Sequence, residues 1–537
     1  MKKTNDPRFG QPFVAKNAAV ASPNTLSTVI GNQMLERGGN AVDAMVAVNA
    51  VLGVVFPHMT GAGGDAFWLI YDAKTKKEYA LNASGRVAAT VEIETYKGQE
   101  NIDNRGIRSA ITVPGAIDGW YEAHHRFGKM PFATCLKPAI HYARYGFPVS
   151  ESLAKFSEKK LDLLRRDAEM AKVYLKNGVA PYLSGEIMRN PDLANTLEVV
   201  ARRGRDGFYK GDVAKKMDTY MKKVDGFLSY QDFAEHTSNW SDPLSVKFQG
   251  KKVSAPPPNS DGMATLEILG MLNHIDVEQH INTHSDFIDL FTRATVLAFE
   301  DRNDYLSDPD FNDVPTEELL NEKYLRERAE VILREDISDK PEEDINAEGD
   351  TTFSCAADGE GNVVGVIQSL YWEWGSGIIP KDTGVILQNR GSFFSLDEHQ
   401  PNRLEPGKRP GHTLTCSIVT GDDGPELVVG AMGGDGQPQT QATLIVRMMA
   451  QHMNPQQAID HPRWLLGRTW GETYSGLRLE GRYSKETKTD LNEKGHQHVS
   501  LIEDYSDLVG HAQAIRIYED RYEAAADPRA LGLALGY

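Results

Sequence analysis

Two adjacent threonines, Thr351 and Thr352, stand where an acidic stretch gives way to an apolar one, and a threonine at such a junction can do chemistry if the chain is cut in front of it. A threonine hydroxyl alone is a poor nucleophile. As the first residue of a new chain, Thr351 would carry an α-amine of ordinary pKa about 7.7–8.0, neutral often enough near pH 7 to accept the hydroxyl proton. The cut has its own route. Thr351 Oγ attacks the Asp350 carbonyl, an N→O shift gives an ester, and water releases the new terminus. The cleavage site is then the Asp350–Thr351 bond.

Such a residue needs an exposed approach and a rigid platform. Residues 335–350 hold eight acidic residues and one lysine, the composition of a solvated, mobile linker. Strands are predicted beyond it over 352–357, 363–369 and 385–387, with a turn at 358–362 after the first, then over 414–419 and 427–429 before a helix at 439–451. In the first third, Ser22 or Asn24 can cap a helix that stops at Gly38-Gly39, and Asn40 opens a nearly all-apolar helix ending before Pro57. The tight turn Thr60-Gly61-Ala62-Gly63-Gly64-Asp65 leads to a buried strand at 66–71. The middle, about 114–335, reads as mostly helical, and the proline-rich loop 255–262 enters a helix.

Composition excludes several classes. Apolar residues are 40% and charged residues 25%, which is globular and not fibrous or disordered. The net charge of −18 argues against a nucleic-acid footprint. The segment 41–56 contains Asp43 and Asn49 and is short for a bilayer, so no membrane partner is expected. The first residues lack the apolar core of a secretory signal. Cys135, Cys355 and Cys416 show neither zinc spacing nor a disulfide framework, and a cytoplasmic location is expected. The Gly61–Asp65 loop lacks the lysine of a phosphate cradle, and Asp301, Arg302, Asp304 and Asp308 read as helix-end ion pairs. Neither a metal nor an organic cofactor is predicted.

Many separated motifs, in order, resemble the γ-glutamyltransferase family of N-terminal-nucleophile hydrolases. They include Gly38-Gly39-Asn40-Ala41-Val42-Asp43-Ala44, Gly61-Ala62-Gly63-Gly64-Asp65, Val113-Pro114-Gly115, Phe208-Tyr209-Lys210-Gly211, Pro256-Pro257-Pro258, Thr351-Thr352-Phe353-Ser354, Gly375-Ser376-Gly377, Lys408-Arg409-Pro410, Gly433-Gly434 and Asp527-Pro528-Arg529. The resemblance implies an α/β four-layer αββα sandwich. It also implies a proenzyme split into a large chain, 1–350, and a small chain, 351–537, that stay associated, with a dimer of such protomers possible. Thr351 would be the nucleophile, Ser369 would take the place of a threonine that contacts it, and Gly433 and Gly434 would supply the oxyanion hole.

The chain departs from the family where an α-amino, α-carboxyl substrate is held. Tyr371, Arg390 and Phe393 stand in place of asparagine, glutamine and aspartate, and His412-Thr413 in place of a serine pair. Arg86 is near, but offset from, the usual substrate arginine. An arginine in place of an amine-binding group disfavours an ammonium and can hold a carboxylate with two parallel hydrogen bonds. The blocks 388–396, 432–441 and 463–471 resemble a branch containing oxamate amidohydrolase and proteins called cephalosporin acylase or glutathione hydrolase-like. The expected substrate is a small amide bearing a carboxylate, with hydrolysis favoured over transfer. Oxamate, a glutaryl amide and a γ-glutamyl compound stay open.

Overall fold

The strand Asp350–Ala357 is hydrogen-bonded between Ala19–Ser22 and Val363–Tyr371, and this pairing fixes where Thr351 lies. The computed structural model describes residues 10–280, 282–334, 350–467, 476–496 and 498–537. The acidic stretch 335–349, the first nine residues and the 468–471 part of the last motif block lie outside the described residues.

The sheet carrying Thr351 has seven antiparallel strands, in the order Leu533–Gly536, Ala19–Ser22, Asp350–Ala357, Val363–Tyr371, Asp65–Asp72, Lys77–Ala83 and Asn239–Ser241. A second seven-stranded antiparallel sheet runs Phe13–Ala15, Tyr522–Ala526, Ala512–Ile517, Gly424–Ala431, Cys416–Gly421, Lys251–Ala255 and Leu244–Phe248. Side chains alternate across each strand. Phe353, Cys355 and Ile367 of the first sheet therefore meet Cys416, Ile418, Val428 and Ile515 of the second in a common interior. Their neighbours Ala356, Val364 and Val366 face outward into a helical layer. The outer face of the second sheet does the same with Val429, Ala431 and the helices Gly262–Leu272, His284–Tyr305 and Gly436–Met449. The result is αββα. The strands Asp350–Ala357 and Val363–Tyr371 are covered on both faces.

The helix Ala41–Val55 is buried at every position because the first sheet lies on one side and the helix Phe132–Tyr145 on the other. A reciprocal cap starts it: Asn40 Oδ1 accepts from Asp43 N at 3.0 Å, and Asp43 Oδ2 from Asn40 N at 2.9 Å. Of the two predicted caps for the preceding helix, Thr25–Glu36, Asn24 accepts from Leu26 N, while Ser22 bonds to Ser27 and Thr28. Three expectations need correction. Residues 385–387 are not a strand, since Leu387 N–H goes to the Ile378 carbonyl outside either ladder. The predicted 414–419 strand is shifted to Cys416–Gly421, and the helical middle also contains strands, among them Asn239–Ser241, Leu244–Phe248 and Lys251–Ala255 of the two large sheets.

Asp301 and Arg302, read from sequence as ion-pairing residues, do pair, with Arg328 and with Asp435 respectively. Glu267, 1% exposed, sits beside Asp301, and neither carboxyl oxygen has a hydrogen-bond donor among the described residues. Burial, followed by the charge of Asp301, holds its pKa well above the ordinary value. The folded state then keeps a proton that the unfolded chain releases near pH 4.5, so stability falls as pH rises from there. Glu267→Gln should flatten that fall and raise the melting temperature at pH 8 by about 1–3 °C. Unchanged melting curves at pH 5 and pH 8 in both proteins would refute the reading that Glu267 keeps its proton in the folded state. Among the described residues, no helix is long and apolar enough to cross a membrane.

Candidate active site

Thr351 lies at a bulge. The ladder to Val363–Tyr371 shifts register between Asp350 and Thr352, so Asp350 pairs with Tyr371 and Thr352 with Gln368. A bulge takes one residue out of the ladder and re-aims its side chain. Thr351 is 1% exposed, and its Oγ1 has no hydrogen-bond partner among the described residues. Its neighbours are tied down instead. Thr352 Oγ1 donates to the Gln368 carbonyl at 3.1 Å, and Ser354 Oγ accepts from Asn49 Nδ2 at 3.0 Å.

The partner strand ends in a turn that shapes the site. Ser369 Oγ accepts from Tyr371 N at 2.7 Å. Tyr371 has φ +82°, a left-handed conformation costing an aromatic residue about 1–3 kcal/mol. The pairing with Asp350 and the Ser369 bond keep it there. The loop Gly61–Asp65 packs directly beneath. A Cβ on Gly63 would fall 1.9 Å from the Ile386 carbonyl oxygen, and one on Gly64 2.0 Å from that of Ser369. Only glycine fits either position.

Arg390 opens the short turn Arg390–Phe393, anchored by Asn389 N–H on the Leu370 carbonyl and Trp372 N–H on Asn389 Oδ1. It is fully buried, and Nε, Nη1 and Nη2 all lack hydrogen-bond partners among the described residues. The guanidinium lies over the Tyr371 ring at 3.8 Å, with Phe393 at 5.6 Å and edge-on to Tyr371. Burial lowers its pKa to about 10, against the opposing pull of Tyr371, Asp65 and Asp435. It is therefore a cation at neutral pH with five unused donors. Leaving such a group buried without a counter-ion is expensive unless a ligand supplies one.

Asp65 organises the rest, a role the sequence did not disclose. Its Oδ1 accepts from Gly85 N, Gly115 N and Gln388 Nε2 at 2.9–3.1 Å. Its Oδ2 lies 3.0 Å from His412 Nε2. Burial lifts the Asp65 carboxyl to about 7 and pushes the imidazole of His412 well below its ordinary value. The contact is thus a hydrogen bond to a neutral imidazole rather than an ion pair. His412 Nδ1 and Thr413 Oγ1 are buried without hydrogen-bond partners among the described residues. Arg86 is placed differently from the others: it is one-third exposed and paired with Asp310 at 2.9 Å and Asp308 at 3.9 Å.

Gly433 and Gly434, at φ +133° and +54°, form the turn between the strand Gly424–Ala431 and the helix Gly436–Met449. Their carbonyls accept from Gly436 N and Gln437 N. Asp435, the next residue, holds Arg302 Nη1 at 3.0 Å. Asp435 and Arg302 are a further pair at the site; the sequence marked Arg302 only as a helix-end ion-pairing residue and did not single out Asp435. One trio elsewhere has the spacing of metal ligands, Asp43, His124 and Cys135. Its capacity is already used, because Asp43 accepts from the amides of Asn40, Lys129 and Met130, and His124 Nε2 lies on the Met130 carbonyl.

A four-layer αββα sandwich with a buried threonine at the head of a central strand is the N-terminal-nucleophile hydrolase fold. The chain belongs to the gamma-glutamyltranspeptidase family, whose sequence profile matches residues 27–537. It is 42% identical to the glutathione hydrolase-like YwrD proenzyme of Bacillus subtilis, over 98% of this chain and 100% of that protein. It is 38% identical to the oxamate amidohydrolase proenzyme of Klebsiella pneumoniae, over 98% and 99%. The cephalosporin acylase of Bacillus halodurans superposes with TM-score 0.90 at 31% identity, covering 100% of this chain and 99% of that one. These relatives place the chain among enzymes that act on C–N bonds.

Proposed function

We propose that the chain is an autoprocessing threonine amidohydrolase that cleaves the amide of a small carboxylate-bearing substrate lacking an α-ammonium group. Arg390 carries the reading: a buried guanidinium stacked on Tyr371, with every nitrogen open to a ligand. A carboxylate would accept two of its N–H groups and neutralise it, whereas an ammonium there would face a like charge and Phe393.

Maturation begins at the bulge, where Thr351 Oγ attacks the Asp350 carbonyl and the ester is hydrolysed. The new α-amine of Thr351 then takes the hydroxyl proton as Oγ attacks the substrate carbonyl. Backbone N–H groups of Gly433 and Gly434 receive the developing oxyanion. The C–N bond breaks as the amine leaves with the proton, and water attacks the acyl ester to regenerate Thr351. Ser369, through its bond to Tyr371 N, holds the wall opposite.

The oxamate amidohydrolase relative supports oxamate as the first compound to try, since oxamate is an amide joined directly to a carboxylate. Turnover of oxamate and of glutaryl-p-nitroanilide should be compared with that of γ-glutamyl-p-nitroanilide. A clear preference for the γ-glutamyl compound would defeat the argument from Arg390 and Phe393.

Asp65 adds a pH dependence. Protonated below about 7, it leaves the Arg390 charge uncompensated; ionised above, it competes with the substrate carboxylate. KM should therefore rise about two- to fivefold between pH 6 and pH 8 and become flat in Asp65→Asn, whose amide can donate to the other His412 tautomer. A KM slope identical in the two proteins would remove Asp65 from the account.

A further inference from the structure

The helix Glu151–Lys159 reaches both walls of the site from behind. On one side, Ser152 Oγ lies 3.0 Å from His58 Nε2. The carbonyls of His58 and Met59 accept from Trp374 N and Leu370 N, at 2.8 and 3.3 Å, so this side braces the turn that holds Tyr371 and Arg390. Burial lowers the His58 imidazole to about 3, so that brace is uncharged.

On the other side the link is ionic. Lys155 Nζ lies 2.7 Å from Asp507 Oδ2, and Asp507 Oδ1 lies 3.0 Å from His511 Nε2. Burial opposes the charge on Asp507, yet His511 and Lys155 hold its carboxyl well below the ordinary range. The His511 carbonyl accepts from Met432 N at 2.9 Å, immediately before Gly433. Gly510 lies against the same backbone, since a Cβ there would fall 1.9 Å from the Met432 carbonyl oxygen, and a Cβ on Gly433 would come 3.2 Å from Gly510 Cα. Residues 510–511 thus form the back of the turn assigned to the oxyanion.

We infer that Lys155, Asp507 and His511 form a positioning relay that sets the Met432–Gly433 backbone, so that a surface lysine of the large chain governs transition-state stabilisation in the small one. None of the three touches substrate. The inference rests on the assignment of Gly433 and Gly434 as oxyanion donors. A donor displaced by a few tenths of an ångström loses strength mainly in the transition state, so the relay should act on kcat and leave ground-state carboxylate binding alone.

The experiment uses the full chain carrying Lys155→Met, Lys155→Arg, Asp507→Asn or Asp507→Glu, read for autocleavage, kcat, KM and melting temperature. Binding of a tetrahedral boronate bearing the same carboxylate is compared with that of a plain dicarboxylate. The expected result is a kcat loss of about 5–10-fold in Lys155→Met and 30–100-fold in Asp507→Asn. Boronate affinity should fall in parallel, with KM and dicarboxylate affinity within twofold and most of kcat restored by Lys155→Arg. Lys155 is 62% exposed, so its variants keep the test valid if Asp507→Asn does not fold. A cleaved, active wild type with kcat unchanged in Lys155→Met would overturn the relay alone. An equal loss of boronate and dicarboxylate binding would also overturn it, in favour of a general structural role. A wild type that neither cleaves nor turns over any carboxylate amide would overturn the underlying assignment and the relay together.

Discussion

Thr351→Ala is expected to leave a single chain of 59.5 kDa and no turnover. Two functions vanish with one hydroxyl, because the same Oγ opens the Asp350 peptide and then attacks the substrate. No other group at the bulge can replace it: Thr352 Oγ1 is committed to the Gln368 carbonyl and Ser354 to Asn49. The loss of activity should be at least about 10⁴-fold. Thr351→Ser keeps the nucleophile without its methyl group and should still cleave, more slowly. The checks are a denaturing gel over days and turnover of the carboxylate amide that the wild type prefers. Cleavage or activity surviving in the alanine variant would sink the assignment.

The second large effect is at Arg390. Each charge-assisted hydrogen bond contributes about 1.5–3 kcal/mol, so losing a bidentate pair should reduce kcat/KM by roughly 10²–10⁴-fold, chiefly through KM. Methionine is the informative replacement. It fills much of the same space over Tyr371, and it removes a buried charge that has no hydrogen-bond partner among the described residues. Arg390→Met should therefore melt at or above the wild-type temperature while losing substrate, which separates binding from folding. Arg390→Lys keeps a point charge without the fork and should fall between the two. Kinetics of Arg390→Met within threefold of wild type would place the carboxylate elsewhere.

The sequence made much of this legible because the signals are local. Asn40 with Asp43 three residues on marks a helix start, and the apolar runs on either side of the 358–362 turn mark two covered strands. Failures came where distant segments decide. Residues 385–387 look like a strand, but Leu387 N–H goes to the Ile378 carbonyl and the Leu387 carbonyl accepts from Ser376 N, partners that no periodicity reveals. Arg390 was found by its type at a family position, yet its stacking on Tyr371 depends on a left-handed tyrosine that the sequence does not announce. Asp65 looked like the end of a glycine turn; only the fold brings Gly85, Gly115, Gln388 and His412 to its two oxygens. Arg86, close to the expected position, is held outward by Asp310. Titratable groups at this site owe their character to burial, and burial is a property of the assembled layers.

The most direct test of the central claim is the intact mass of freshly purified wild-type protein under denaturing conditions, with sequencing of the smaller species. Division by residue count predicts two chains of about 39 and 21 kDa, the smaller beginning at Thr351. A single 59.5 kDa species that stays uncut on prolonged incubation, or a new terminus at any other residue, would contradict the account.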